Sequence, residues 1–213
     1  MLIIHHLGIS QSERIVWLCE ELAVPYELVR YTRDPVTRLS PPELKRLHPV
    51  GAAPVIEDGE TMLAESAAIV EYILARFGNG RLSMASDQAG FADYLYWFHF
   101  ANGNLQPLML RYMSLVRAGL PADNPVLANT LERLRIALSM MDERLGAARH
   151  LAGDAFTAAD IMTVFSLTTM RVFQPLDLSR FAAIRAYLGR IGERPAYRRA
   201  MEICDPGMER LLG

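Results

Sequence analysis

Three short segments in the first third of the chain carry residues whose types and spacing can do chemistry. The first is Gly8-Ile9-Ser10-Gln11-Ser12-Glu13-Arg14. Ser10 and Glu13 have the three-residue spacing of a capping box at a helix start. A hydroxyl has one proton and two acceptor lone pairs, so Ser10 can accept a backbone N–H and still donate its proton to a ligand. Near the positive end of a helix that ligand would be an anion, and a thiolate suits the position. A free thiol titrates near pH ~8.5. A hydrogen bond and a helix N-terminus both favour its charged form, and each unit of lowering corresponds to about 1.4 kcal/mol. Helix cap and thiolate partner are both open readings for Ser10. Ser12 is the second candidate, against a plain first-turn position facing solvent.

The second segment is His48-Pro49-Val50-Gly51-Ala52-Ala53-Pro54-Val55-Ile56. A proline entering a strand cannot donate to a ladder and suits an edge or a tight turn. Pro54 is a candidate for a cis peptide, an arrangement expected to leave the Val55 backbone open to an extended peptide ligand. The third segment is Ala64-Glu65-Ser66-Ala67. Ser66 precedes an apolar helical stripe and reads as its N-cap. A helix start accommodates a carboxylate, and Glu65 beside it can pair with an ammonium group. Acid and hydroxyl together would suit the zwitterionic head of an amino acid.

The elements that must hold these segments follow from periodicity. Leu2, Ile3 and Ile4 predict a buried strand. Ile15, Leu18, Cys19 and Leu22 fall at helical spacing, and Pro25 follows that helix. Residues 26–29 predict a second strand, 43–47 a short helix, and Asp58-Gly59 a hairpin between two further strands. Ile69, Val70, Ile73 and Phe77 share one helical face. Strand, helix, strand, helix, hairpin, helix makes a βαβ unit with an added antiparallel hairpin. Beyond about residue 87 only helical periodicity remains, so a division into residues 1–80 and an all-helical 87–213 is expected.

Composition excludes several classes. The chain has 213 residues, a formal charge of −2 and an apolar fraction of 51%. There is no basic surplus to neutralise phosphates, which argues against nucleic-acid binding. The two cysteines, Cys19 and Cys204, form neither a disulfide framework nor a metal motif, so no metal is expected. No secretory signal and no apolar run of about 18 residues is visible. The expectation is a cytoplasmic protein that does not engage a membrane.

In this order the motifs resemble the cytosolic glutathione S-transferase superfamily. The resemblance rests on Ser10 with Arg14, residues 15–22, Pro49 to Ile56, the Asp58-Gly59 hairpin, Glu65-Ser66 with Ala68-Ile69, and Gly153-Asp154-Ala155-Phe156-Thr157-Ala158-Ala159-Asp160-Ile161. It implies an α/β N-terminal thioredoxin-like domain (βαβαββα) that binds glutathione, and an all-α C-terminal domain that lines the electrophile site. Thr157 and Asp160 then cap a structural helix. The implied activity is conjugation of glutathione, as cosubstrate, to small hydrophobic electrophiles in detoxification, by a serine-type enzyme acting as a homodimer. Other glutathione-dependent reactions (disulfide or peroxide reduction, isomerisation) and a non-catalytic binding protein of the same fold are the alternatives. Ser10 resembles the thiol-activating serine, Pro54 the cis-proline, Val55 the residue whose backbone holds the cysteinyl part, and Glu65 and Ser66 the γ-glutamyl clamp. Ala52 stands where many members carry lysine or glutamine, which leaves Arg38 and Lys45 as candidates for the glycine carboxylate. Tyr96, Asn104 and Tyr112 are the polar-tipped candidates for the electrophile pocket. Asn102-Gly103 and Pro107 are expected to distort their helix.

Overall fold

The computed structural model describes residues 1–213. The chain opens with β1 (Leu2–Leu7), α1 (Glu13–Leu22), β2 (Tyr26–Tyr31) and α2 (Pro42–Leu47). It continues with β3 (Val55–Asp58), β4 (Thr61–Ala64) and α3 (Ser66–Phe77). The strands form one sheet in the order β2-β1-β3-β4. β1 and β2 run parallel, as their connection through α1 requires. β3 is antiparallel to both β1 and β4, and the β3–β4 hairpin closes through Gly59, whose φ of +62° suits a residue without Cβ.

α1 buries Ile15, Val16, Trp17, Leu18, Cys19 and Leu22, and α3 buries Ile69, Val70, Ile73 and Leu74. Together with Ile4 and Ile56, both fully buried, they make the sheet's core. α1 ends where Ala23 turns left-handed and Pro25 forbids continuation.

Helices alone follow: α4 (Phe91–Phe100), a π-helical turn at Ala101–Leu105, and α5 (Gln106–Arg117). Next come α6 (Pro125–Ala147), α7 (Ala158–Leu167), a 3₁₀ turn at Thr169–Val172, α8 (Ala182–Glu193) and α9 (Pro195–Cys204). The π turn lies on Asn102-Gly103, where helix distortion was expected. α7 is buried along its whole length. Its capping box is present, with Thr157 N–H donating to Asp160 Oδ2 at 2.9 Å.

The contacts divide the chain into two compact units. One comprises Met1–Ser83 with Gly192–Arg210, the other Met84–Ile191 with Leu211–Gly213. Where a single crossing near residue 87 was expected, the chain returns to the first unit for α9. The reason is apolar and ionic together. Tyr197 sets its ring edge-on to Trp17 at 4.9 Å, and Arg194 grips Glu21 through Nε and Nη2 at 2.7 and 2.8 Å. No helix is long and apolar enough to cross a membrane.

Candidate functional site

The loop from β1 to α1 is held from two sides. Arg33 donates from Nε to Gly8 O and from Nη2 to Ile9 O, both at 2.9 Å. Burial lowers the Arg33 pKa, helped by Arg38 and opposed by Asp205. The Asp205 carboxylate accepts the Ile9 N–H at 3.0 and 3.1 Å. A Cβ at residue 8 would stand 3.2 Å from Asp205 Oδ1, so glycine there admits the carboxylate. Ile9 takes a left-handed φ of 52° and carries the chain into Ser10.

The hydroxyls that follow are almost enclosed: Ser10 is 6% exposed and Ser12 fully buried. Their oxygens lie 2.7 Å apart. Ser12 N–H donates to Ser10 Oγ at 3.3 Å. Ser12 Oγ accepts the Leu7 N–H at 3.2 Å and lies 2.8 Å from His6 Nδ1. The Ser10–Glu13 capping box is therefore corrected. α1 begins at Glu13, Ser12 takes the N-cap position, and no side chain caps the helix. The Ser12 hydroxyl is turned back toward β1 rather than out to solvent, which removes it from capping and places it in a buried hydroxyl chain.

Arg14, fully buried, links the three segments. Its Nη1 donates to Gln11 Oε1 and to Ser66 Oγ, each at 3.2 Å. Gln11 Nε2 in turn donates to Ala53 O at 3.3 Å, one residue before Pro54. Burial lowers the Arg14 pKa to about 9, with Glu13 opposing, so the guanidinium stays charged at neutral pH. The serine loop and the start of α3 are thus bound to one cation, and Gln11 extends the link to the segment at Pro54.

The Ala53–Pro54 peptide is cis. Val55 requires a correction. It lies on β3, an interior strand, and is in register with His5 on one side and Ala64 on the other. Its backbone belongs to the ladder, because β4 covers what would have been an edge. Pro54, just outside the ladder, has no N–H, and the next residue out with both backbone groups is Ala53. Ser66 is also corrected: it is the first residue of α3 and Glu65 holds the N-cap position with φ of 71°. Such a conformation costs a non-glycine residue about 1–3 kcal/mol and concentrates at functional sites. Ser66 is buried with its hydroxyl on Arg14, and Glu65 is exposed.

Arg38 is exposed, has φ of 61°, and offers its carbonyl to Arg33 Nη1 at 2.9 Å. Lys45 is exposed on α2, and its Cγ stands 3.6 Å from where a Cβ at Gly51 would lie. Tyr96 and Asn104 are exposed, on α4 and in the π turn. Tyr96 stacks on Phe100 at 5.6 Å. Tyr112 borders a cavity of about 610 Å³ with Leu131, Leu138, Pro175 and Phe181, and neither Tyr96 nor Asn104 lines that cavity. Burial pushes the Cys19 thiol up to about 12, with Glu20 adding to it. No group of three or more His, Cys, Asp or Glu is placed to hold a metal ion.

His6, Arg33 and Asp205 escaped the sequence reading. A histidine ending a strand carries no motif, and Asp205 reaches Ile9 across 196 residues. Only the charge of Arg33 in the polar segment after β2 offered a signal.

Two family models match the chain: glutathione S-transferase, N-terminal domain, over residues 3–75, and glutathione S-transferase, C-terminal domain, over 105–195. Glutathione S-transferase 3 of Schizosaccharomyces pombe is 31% identical over 95% of this chain and 87% of its own length. The crystal structure of a glutathione S-transferase from Actinobacillus pleuropneumoniae is 29% identical, covers 97% of this chain and 95% of its own, and superposes with a TM-score of 0.89. A glutathione transferase family member from Pseudomonas fluorescens, solved with two glutathione bound, shares the fold at 22% identity. It has a TM-score of 0.80 and covers 94% of this chain and 92% of its own. The agreement of both family models and of a relative spanning nearly the whole sequence shows that this chain belongs to the glutathione S-transferase family.

Proposed function

We propose that this glutathione transferase joins the glutathione thiol to small hydrophobic electrophiles, with Ser10 as the group that holds the thiolate. The observation that carries the reading is the Arg14 bridge. One buried cation binds Gln11 of the serine loop and Ser66 at the start of α3, and Gln11 holds the carbonyl beside Pro54. A γ-glutamyl peptide needs three such features at once: a thiolate partner, a backbone for its extended middle, and an acid with a helix start for its head. In this reading Glu65 takes the ammonium and the first turn of α3 takes the carboxylate. Ala53, outside the ladder, replaces Val55 as the backbone partner. Lys45 or Arg38 reaches the glycine carboxylate. Residues 1–80 form the glutathione-binding part and the helices beyond residue 87 supply the electrophile pocket, with Tyr96, Asn104 and Tyr112 as its candidates. A cytoplasmic homodimer acting in detoxification completes the proposal, and sedimentation tests the dimer.

Ser10 donating to a thiolate is a charged hydrogen bond, worth about 1.5–3 kcal/mol, or roughly one to two pKa units. Ser10→Ala is therefore expected to raise the bound-thiol pKa by roughly one to two units and to lower kcat/KM at neutral pH about 10- to 100-fold. Ultraviolet titration of the bound thiolate and steady-state conjugation of a chloronitrobenzene-type electrophile measure both. Calorimetric glutathione binding without turnover of any electrophile would instead support reduction, isomerisation or a purely binding role. An unchanged thiol pKa in Ser10→Ala would remove Ser10 from the chemistry.

A further inference from the structure

We propose that His6 receives the glutathione thiol proton through a relay of two hydroxyls, Ser10 and Ser12, with Asp205 facing the imidazolium that results. The inference rests on the glutathione reading above and adds to it the destination of the proton.

The hydrogen-bond inventory forces the coupling. Ser12 Oγ has three neighbours: the Leu7 N–H at 3.2 Å, Ser10 Oγ at 2.7 Å and His6 Nδ1 at 2.8 Å. Leu7 can only donate, so it takes one of the two lone pairs on Ser12. One lone pair and one proton remain for Ser10 and His6. One of them must donate to Ser12 and the other must accept from it. Ser10 is constrained in the same way. It accepts the Ser12 N–H at 3.3 Å, it shares one bond with Ser12 Oγ, and it keeps a single valence for a ligand.

Two arrangements satisfy every group. With Nδ1 unprotonated, Ser12 donates to His6 and Ser10 donates to Ser12, so Ser10 offers the ligand a lone pair, which suits a thiol S–H. With Nδ1 protonated, His6 donates to Ser12, Ser12 donates to Ser10, and Ser10 offers the ligand its proton, which suits a thiolate. Passage from the first to the second moves three protons one step each. The S–H bond breaks and an O–H bond forms at Ser10. The former Ser10 O–H breaks as one forms at Ser12, and the former Ser12 O–H breaks as N–H forms at His6 Nδ1. Thiol and imidazole become thiolate and imidazolium, and no proton leaves the site.

The charges around His6 bear on that imidazolium. His6 is fully buried, and its Nε2 lies 3.7 Å from Asp205 Oδ2, an ion-pair distance once the ring is protonated. Arg30 from β2 and Arg33 beyond it border the same cavity of about 260 Å³ and oppose the new charge. Cys204 also lines that cavity, its thiol held protonated by burial, and Glu13 lies near enough to act on it. Asp205 is the nearest anion and is itself fixed by the Ile9 N–H.

Nitrogen-15 spectra of the histidine-labelled protein at pH about 8, where free imidazole is largely neutral, test the relay in the wild-type chain. Saturating glutathione is expected to shift the His6 ring nitrogens to imidazolium values, and S-methylglutathione, which has no thiol proton, is expected to leave them unchanged. His6→Asn, whose amide can hydrogen-bond but cannot take a proton, is expected to lower the bound thiolate fraction at neutral pH about tenfold. It should also release one proton to solution per thiolate formed, while S-methylglutathione affinity stays within twofold. Identical His6 shifts with both ligands, or an unchanged thiolate titration in His6→Asn, would overturn the relay alone. Failure of glutathione to bind the wild type would overturn the glutathione reading and the relay with it. If His6→Asn does not fold, the wild-type spectra decide.

Discussion

At the scale of the residue, Arg14 shows how a buried charge organises a binding site. Its guanidinium is fully enclosed, which is costly unless hydrogen bonds compensate. Two of these reach acceptors far apart in sequence, Gln11 within its own segment and Ser66 on α3, 52 residues beyond Arg14. Both bonds leave Nη1, whose two N–H groups are fixed in the guanidinium plane, whereas an ammonium on a shorter, flexible stem holds no such fixed geometry. Arg14→Lys keeps the charge and loses the bridge. Charged hydrogen bonds are worth about 1.5–3 kcal/mol, and 1.4 kcal/mol is a factor of about ten in affinity. The expected outcome is a glutathione dissociation constant raised by about tenfold, measured by calorimetry, with the thermal midpoint only a few degrees lower. Unchanged affinity would reduce the bridge to a structural role. Ser10, Pro54, Glu65 and Ser66 stand out as candidates in the sequence because each lies in a local motif. The partners that orient them were not. His6 touches Ser12 only because β1 turns back into α1, and a burial-driven contact of that kind leaves no spacing to read.

At the scale of the element, most boundaries followed from periodicity and from breakers such as Pro25 and Gly59. Side-chain caps were harder to place, because Ser10, Ser12 and Ser66 each bond another side chain and no side chain caps α1 or α3. Val55 failed for a related reason: a strand's pairing on its second side depends on where the hairpin folds, which a proline at its entrance does not disclose. The box at Thr157 and Asp160 is the converse case, legible and present. Beyond Thr157, Asp160 Oδ1 accepts the Leu151 N–H at 3.1 Å and the Tyr187 O–H at 3.0 Å, so it ties α7 to the preceding loop and to α8. Asp160→Ala would strip the cap and leave buried donors unsatisfied. A lost cap costs about 1 kcal/mol and each orphaned buried donor about 1–3 kcal/mol. A loss on the order of 3–5 kcal/mol is expected, read from denaturant midpoints by circular dichroism. Asp160→Asn, which retains an acceptor oxygen, should lose less. A loss below about 1 kcal/mol for Asp160→Ala would show that the box is incidental to folding.

At the scale of the whole molecule, the instructive feature is the return of α9 to the unit in which the chain began. Its cause is spread over residues too far apart for any motif. Glu21 accepts Trp17 Nε1–H at 2.9 Å and both nitrogens of the Arg194 fork. Glu20 accepts the Tyr26 hydroxyl at 2.8 Å and Arg199 Nε at 2.9 Å. α9 therefore completes the cover of α1, and its final turn delivers Asp205 to Ile9 and toward His6. Stability and site geometry are coupled through this one helix, and Tyr197 is the place to separate them. Tyr197 is 1% exposed against Trp17, itself 1% exposed. Tyr197→Ala removes a large buried aromatic, expected to cost about 3–5 kcal/mol, and it leaves Asp205 in the chain. In a Trp97→Phe background Trp17 is the sole tryptophan, so its emission reports the α1–α9 contact directly. The expected result is a red-shifted Trp17 spectrum and a lower denaturant midpoint. Because Asp205 is displaced with the helix, weaker glutathione binding should accompany both changes. Asp205→Asn in the same background should leave Trp17 emission unchanged and alter only the response to glutathione. Were Tyr197→Ala to leave Trp17 buried, the packing of α9 would rest on the arginine pairs instead. Charge-reversed Glu20→Arg/Arg199→Glu exchange would then be the variant that preserves it.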